Sequence, residues 1–72
     1  MKEVSILNVV ADNIRIERLR KRFSQEKLAE MAGVSTKYIN MIENYKVNPT
    51  IVVIIKICRA LNINLNTIYS EL

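Results

Sequence analysis

The chain has no histidine, and only one cysteine, one glycine and one proline among its 72 residues. Without histidine it lacks the side chain best suited to proton transfer near neutral pH, and with it the commonest zinc ligand. Lone Cys58 has no partner for an internal disulfide and no soft co-ligands for a metal. It falls on the apolar side of a predicted helix, where a buried inert thiol is the ordinary outcome and a redox switch the alternative. There is no glycine-rich phosphate loop and no cluster of metal-ligating residues, so the chain does not read as an enzyme, and no cofactor, metal or small-molecule ligand is implied. Glu26 and Glu30, four residues apart, have no catalytic partner nearby and read as a solvated face. The scarcity of glycine and proline excludes collagen-like repeats and long linkers. No apolar run reaches the length of a membrane span and no signal-peptide pattern opens the chain, which predicts a cytoplasmic protein without a membrane partner.

What is present is apolar residues, at 50% of the chain, and a formal charge of +4. That composition suits one helical domain over residues 1–72 with a modest core. The positive charge is concentrated in Arg15, Arg18, Arg20, Lys21 and Arg22. Such a cluster attracts phosphate in a salt-sensitive way, and a solvated helix face is the alternative.

Leu7, Val10, Ile14 and Leu19 recur at roughly helical spacing and predict a first helix over about 6–21, with residues 1–5 an arm or part of it. Ser24 reads as an N-cap, although Lys27 stands where a capping box wants Glu or Gln. The second helix then runs to Ala32 with Leu28, Ala29 and Ala32 inward. After a Gly33–Val34 turn, Ser35 caps a third helix from Thr36 to Glu43 or Asn44, and Asn44 is able to take the left-handed conformation that ends a helix. A loop over 45–49 follows, and Thr50 caps the next element. The run Ile51–Ile55 is β-branched throughout and by propensity resembles a strand. On a helical wheel, however, Lys56, Val52 and Arg59 share one side while Ile51, Ile54, Ile55, Cys58 and Leu61 share the other. A last short helix from Asn66 to Tyr69 places Ile68 inward, with Ile63 and Leu65 anchoring the connection.

The spacing of Ala29, Gly33, Ile39 and Ile42 is what two crossed short helices in a helix-turn-helix require: a small residue at the crossing, a left-handed turn and an inward pair on the second helix. Thr36, Lys37, Asn40 and Met41 are then left on the outward face, which in this architecture enters the DNA major groove. Lys37 can donate to guanine O6 and N7 or simply meet a phosphate. Thr36 can touch a thymine methyl, Asn40 can pair with adenine, and Met41 offers apolar contact. Tyr38 lies toward the flank as a phosphate or packing residue.

The string Ser24–Ser35 (SQEKLAEMAGVS), with Tyr38-Ile39, Ile42-Glu43, Asn48-Pro49 and Leu61–Leu65 (LNINL), resembles the XRE family, that of lambdoid phage repressors, Cro proteins and restriction-modification controller proteins. The likeness covers about residues 13–69 and implies an all-α, five-helix, lambda-repressor-like domain with its helix-turn-helix at about 24–43, which settles 51–61 as helix. It implies a transcriptional regulator, repressor or controller, that binds a palindromic double-stranded DNA operator as a homodimer and associates with the nucleoid. Ser35, Thr36, Lys37 and Met41 match base-facing positions, with Asn44 and Lys46 matching backbone-contacting ones. Gln25 matches a phosphate contact at a helix N-terminus, and Arg18 a brace to Glu43 that also touches phosphate. Three residues depart from the pattern. Tyr45 replaces a frequent glycine, so Asn44 is expected to supply the left-handed residue; Arg22 replaces another; and Glu17 replaces a leucine, part of whose contact Ile16 is expected to take over. No sensor domain is visible, so occupancy is expected to follow concentration and dimerisation.

For the dimer, Val53, Ile57 and Ala60 widen the apolar arc of the fourth helix, and Tyr69 and Leu72 add apolar groups near the C-terminus. The alternative is an ordinary core with scattered exposed apolar groups. A second functional class, a protein-interaction module such as an antitoxin, rests on Val52 standing among charges.

Overall fold

The computed structural model describes residues 3–70, with side chains from residue 6 onward. Over those residues the chain forms five α-helices and no strand: α1 (Glu3–Arg20), α2 (Gln25–Ala32), α3 (Thr36–Glu43), α4 (Ile51–Leu61) and α5 (Leu65–Ile68). α1 therefore begins at least as early as Glu3, so residues 3–5 belong to the helix rather than to an arm. α4 is helical despite its β-branched run, because one stripe of it, Ile54, Ile57, Cys58 and Leu61, is buried at helical spacing. Burial of an apolar face outweighs the few tenths of a kcal/mol per residue by which β-branching disfavours a helix.

Local side-chain chemistry starts three of these helices. The hydroxyls of Ser24, Ser35 and Thr50 accept from the backbone N–H of Lys27, Tyr38 and Val53 at 2.9, 3.0 and 3.2 Å. Each satisfies a donor that has no partner inside its helix.

Four helices stop in one way. After α1, α2, α3 and α4 a residue turns left-handed: Arg22 (φ 59°), Gly33 (φ 73°), Tyr45 (φ 63°) and Asn62 (φ 56°). In each case the next N–H reaches back over the last turn, Phe23 to Arg18 O, Val34 to Ala29 O, Lys46 to Met41 O and Ile63 to Cys58 O, at 2.8–3.1 Å. This is the paired-bond termination in which the following residue tends to be apolar, and Phe23, Val34 and Ile63 do pack on the core. Asn44 is not the left-handed residue expected of it. Its φ is −103°, and its side chain donates back to Asn40 O at 2.8 Å, so the turn falls one residue later at Tyr45. The Tyr45 hydroxyl donates to Asp12 on α1, tying the α3 exit to the first helix. That bond, with some burial and the charge of Asp12, raises the phenol above its ordinary value of 10.0 against an opposing pull from Arg15. The tie is therefore complete below pH 10 and is lost only as pH rises through the raised value.

The core gathers Ile14, Leu28, Ala29, Ala32, Ile39, Ile42, Ile54, Ile57, Cys58, Leu61 and Ile68. α2 packs on α3 and α4, and α1 closes the other side against α3, α4 and α5. The Asn13 amide donates to Ile68 O at 2.8 Å and to Ser70 O at 3.0 Å, which pins the end of α5 to α1. Burial pushes the Cys58 thiol up, as expected of an inert core cysteine rather than a redox switch.

Three expectations about facing need correction. Ile51 and Ile55 are 53% and 39% exposed, whereas Ile57, expected at a dimer interface, is fully buried. Residues of equal hydropathy fill both sides of that arc, and the packing of α4 on α1, α2 and α5 selects the inward side. Ile16 is 40% exposed and does not take over the leucine contact. Glu17 stays at that position, 8% exposed, because its carboxylate reaches the rim and accepts from Arg20 at 2.9 Å. No described helix is long and apolar enough to cross a membrane.

A left-handed non-glycine residue costs about 1–2 kcal/mol, partly offset by the chain entropy that glycine would bring. Arg22→Gly is therefore expected to stabilise the fold by roughly 0.5–1 kcal/mol, raising Tm by about 3–6 °C in a calorimetric melt. A lower Tm would show that Arg22 makes contacts worth more than its strain.

Candidate nucleic-acid interface

α3 is held from behind by a buried ion pair. Arg18 Nε and Nη2 donate to Glu43 Oε2 and Oε1 at 2.8 and 3.0 Å, and Nη1 donates to Phe23 O at 2.8 Å. The two side chains are 12% and 3% exposed. Two parallel bonds fix the guanidinium in the plane of the carboxylate, so α1 and α3 are locked in both distance and angle. The brace implied by the family likeness is present, and it holds the Arg18 side chain largely in the interior. Gln25, the first residue of α2, joins the same cluster: its Nε2 donates to Glu43 Oε1 at 3.1 Å. Its Oε1 accepts from Asn40 Nδ2 on α3 at 3.2 Å. No spacing rule pointed to these contacts of Gln25, nor to the tie between Tyr45 and Asp12.

The outward face of α3 stands as expected. Ser35, Thr36, Lys37 and Asn40 are exposed and Met41 is half-buried. Ser35 uses one lone pair of its hydroxyl oxygen as a cap, which leaves its O–H and a second lone pair unengaged. Tyr38 packs on the core. Asn44 and Lys46 are exposed beyond the end of α3. Among the described residues Lys21, Arg22, Lys37 and Lys46 are exposed and carry no ion pair, whereas Arg15, Arg18 and Arg20 are held by Asp12, Glu43 and Glu17. The unpaired cations thus sit before α2, on α3 and just after it, with two more, Lys56 and Arg59, on α4. Of the other candidates, Val53 and Ala60 are half-buried against the core, Tyr69 is 39% exposed, and Leu72 lies outside the described residues. No group of three potential metal ligands occurs among the described residues.

Residues 14–68 match the HTH_3 family model, described as helix-turn-helix. The chain belongs to the HTH_3 helix-turn-helix family. The chain is 36% identical over 59 residues to the control protein C.SmaI of Serratia marcescens, spanning 82% of this chain and 70% of that one. It is 33% identical over 64 residues to the transcriptional regulator SinR of Bacillus subtilis, covering 88% of this chain but only 58% of SinR. Among solved structures, the restriction-modification controller protein C.AhdI of Aeromonas hydrophila superimposes with a TM-score of 0.85 at 30% identity, over 88% of this chain and 96% of its own. This HTH_3 member is accordingly a helix-turn-helix transcriptional regulator with a DNA-binding fold, related to restriction-modification controller proteins.

Removing one partner of a buried pair strands the other charge, at a cost of about 3–5 kcal/mol, whereas an exposed pair contributes less than about 1 kcal/mol. Glu43→Ala is expected to destabilise the domain by roughly 3 kcal/mol in urea unfolding. Glu30→Ala, which removes the exposed partner of Lys27 at 3.9 Å, should fall within about 0.5 kcal/mol of wild type. Equal effects would show that the buried pair matters no more to stability than an exposed one.

Proposed function

We propose that this regulator binds a palindromic operator as a homodimer, with α3 in the major groove, Thr36, Lys37, Asn40 and Met41 against base edges, and Ser35 at the groove entrance. The observation that carries this reading is an outward α3 face whose one cation, Lys37, has no partner among the described residues, on a helix braced by a buried ion pair. Asn44 and Lys46 meet the backbone beyond α3. Gln25 brings the unpaired N–H groups at the start of α2 toward a phosphate, where the helix dipole favours an anion. Arg18 serves as the brace, and Tyr38 supports α3 by packing. The reading makes residues 1–72 one DNA-binding unit that acts on DNA in the cytoplasm.

Dimerisation is supported by apolar surface the monomer leaves uncovered: Ile51, Val52, Ile55, Leu65 and Tyr69 are 36–58% exposed. Such a patch on a small domain invites a partner. Two-fold pairing would set the recognition helices about 34–36 Å apart, one turn of DNA. Whether bound polymerase is blocked or touched, regulation follows occupancy of that site.

Selection from random duplexes at two salt concentrations tests the reading. The wild type should return a palindrome, Lys37→Ala a palindrome altered at one base pair per half-site, and Lys46→Ala the same motif bound more weakly with a salt slope smaller by about 1 per subunit. Identical motifs for wild type and Lys37→Ala would remove Lys37 from base readout. Light scattering at DNA-binding concentrations should give twice the chain mass, and a strictly monomeric mass would contradict the dimer.

A further inference from the structure

Arg18, Glu43, Gln25 and Asn40 form one continuous chain of hydrogen bonds that runs from the buried pair to the exposed face of α3. Its polarity is dictated from the buried end. Glu43, bonded to a guanidinium through both oxygens, is an ionised carboxylate and can only accept. Gln25 must therefore turn its NH2 toward Glu43, which leaves its carbonyl oxygen facing Asn40. Asn40 in turn must offer its NH2 to Gln25, which turns its own Oδ1 the other way. An isolated surface asparagine has two amide orientations of nearly equal energy. Here one of them would set two oxygens against each other. The Asn40 backbone is held as well, since its carbonyl accepts from Asn44 Nδ2 at 2.8 Å and from the Asn44 N–H at 3.1 Å.

We propose that Gln25 is a positioning residue for sequence readout: it hands the fixed polarity of the Arg18–Glu43 pair to the Asn40 amide. Asn40 then presents one acceptor oxygen and one unshared N–H in a set order, the pair that adenine N6 and N7 require. This rests on the reading that α3 enters the major groove, and it gives Gln25 an effect at one base pair in addition to any contact with a phosphate. A phosphate contact alone weakens all sequences alike.

The test is operator selection and competition binding with full-length wild type, Gln25→Ala, Asn40→Ala and the double variant, each first shown to melt cooperatively. Asn40→Ala should lose discrimination on the order of tenfold at one adenine per half-site. Gln25→Ala should lose about threefold or more at that same position, and its effect there should vanish in the Asn40→Ala background. In free wild-type protein, the 15N order parameter of the Asn40 side-chain amide should be that of a rigid group. Uniform weakening by Gln25→Ala with the adenine preference intact would overturn the proposal while leaving the DNA-binding reading in place. An unchanged motif for Asn40→Ala, or a freely rotating Asn40 amide in the wild type, would do the same. A wild type that selects no duplex at all would sink both.

Discussion

Arg18 and Glu43 meet where α1 passes behind α3, almost wholly removed from water, and their bidentate contact determines how the rest of the molecule is used. Placing two charges there is not a gain in stability by itself, because desolvation offsets most of the attraction. What the pair supplies is direction. A hydrophobic contact at the same point would let α3 slide or roll by a fraction of a turn, whereas two parallel N–H···O bonds tolerate neither. The same guanidinium also holds the carbonyl of Phe23, at the entry to α2, so one side chain fixes the junction between α1, α2 and α3. The orientation of α3 is consequently set in the free protein, and, on the proposed reading that α3 meets a duplex, this spares binding part of its ordering cost.

The connections between helices follow a second constraint. In a chain with a single glycine, four helices end on a left-handed residue, and Arg22 and Tyr45 take up a conformation that ordinary side chains adopt reluctantly. Backbone bonds back over the final turn and an apolar side chain seated on the core hold the α1 terminus in place. At α3 the following residue is Lys46, which is exposed, and the bond from the Tyr45 hydroxyl to Asp12 stands in for the missing apolar contact. The exposed cation Lys46 is thereby left at the end of α3.

Much of this was legible in the residues because it is local. Ser24, Ser35 and Thr50 cap through atoms that reach only three residues along the chain, and the small–turn–inward spacing of Ala29, Gly33, Ile39 and Ile42 specified the crossing of α2 and α3. What escaped depends on distance along the chain. The Tyr45 hydroxyl found its partner, Asp12, 33 residues away. Ile57 rather than Ile55 went inward, and the hydropathy of the two isoleucines carries no mark to distinguish them. The Arg18–Glu43 pair, 25 residues apart, followed from family likeness and from no spacing rule, and the Gln25 contacts it organises followed from neither. The basic cluster in α1 reads in the sequence as free charge, yet three of its five members are engaged with carboxylates.

Everything said of function depends on which face of the molecule meets DNA. Backbone 15N–1H spectra of the labelled protein, recorded during titration with its selected duplex, measure that face directly. The account predicts that the largest shifts fall on Ser35–Met41, the start of α2 and Asn44–Lys46, with the exposed side of α4 unmoved by DNA. Shifts centred on α4 and α5, with α3 undisturbed, would contradict it.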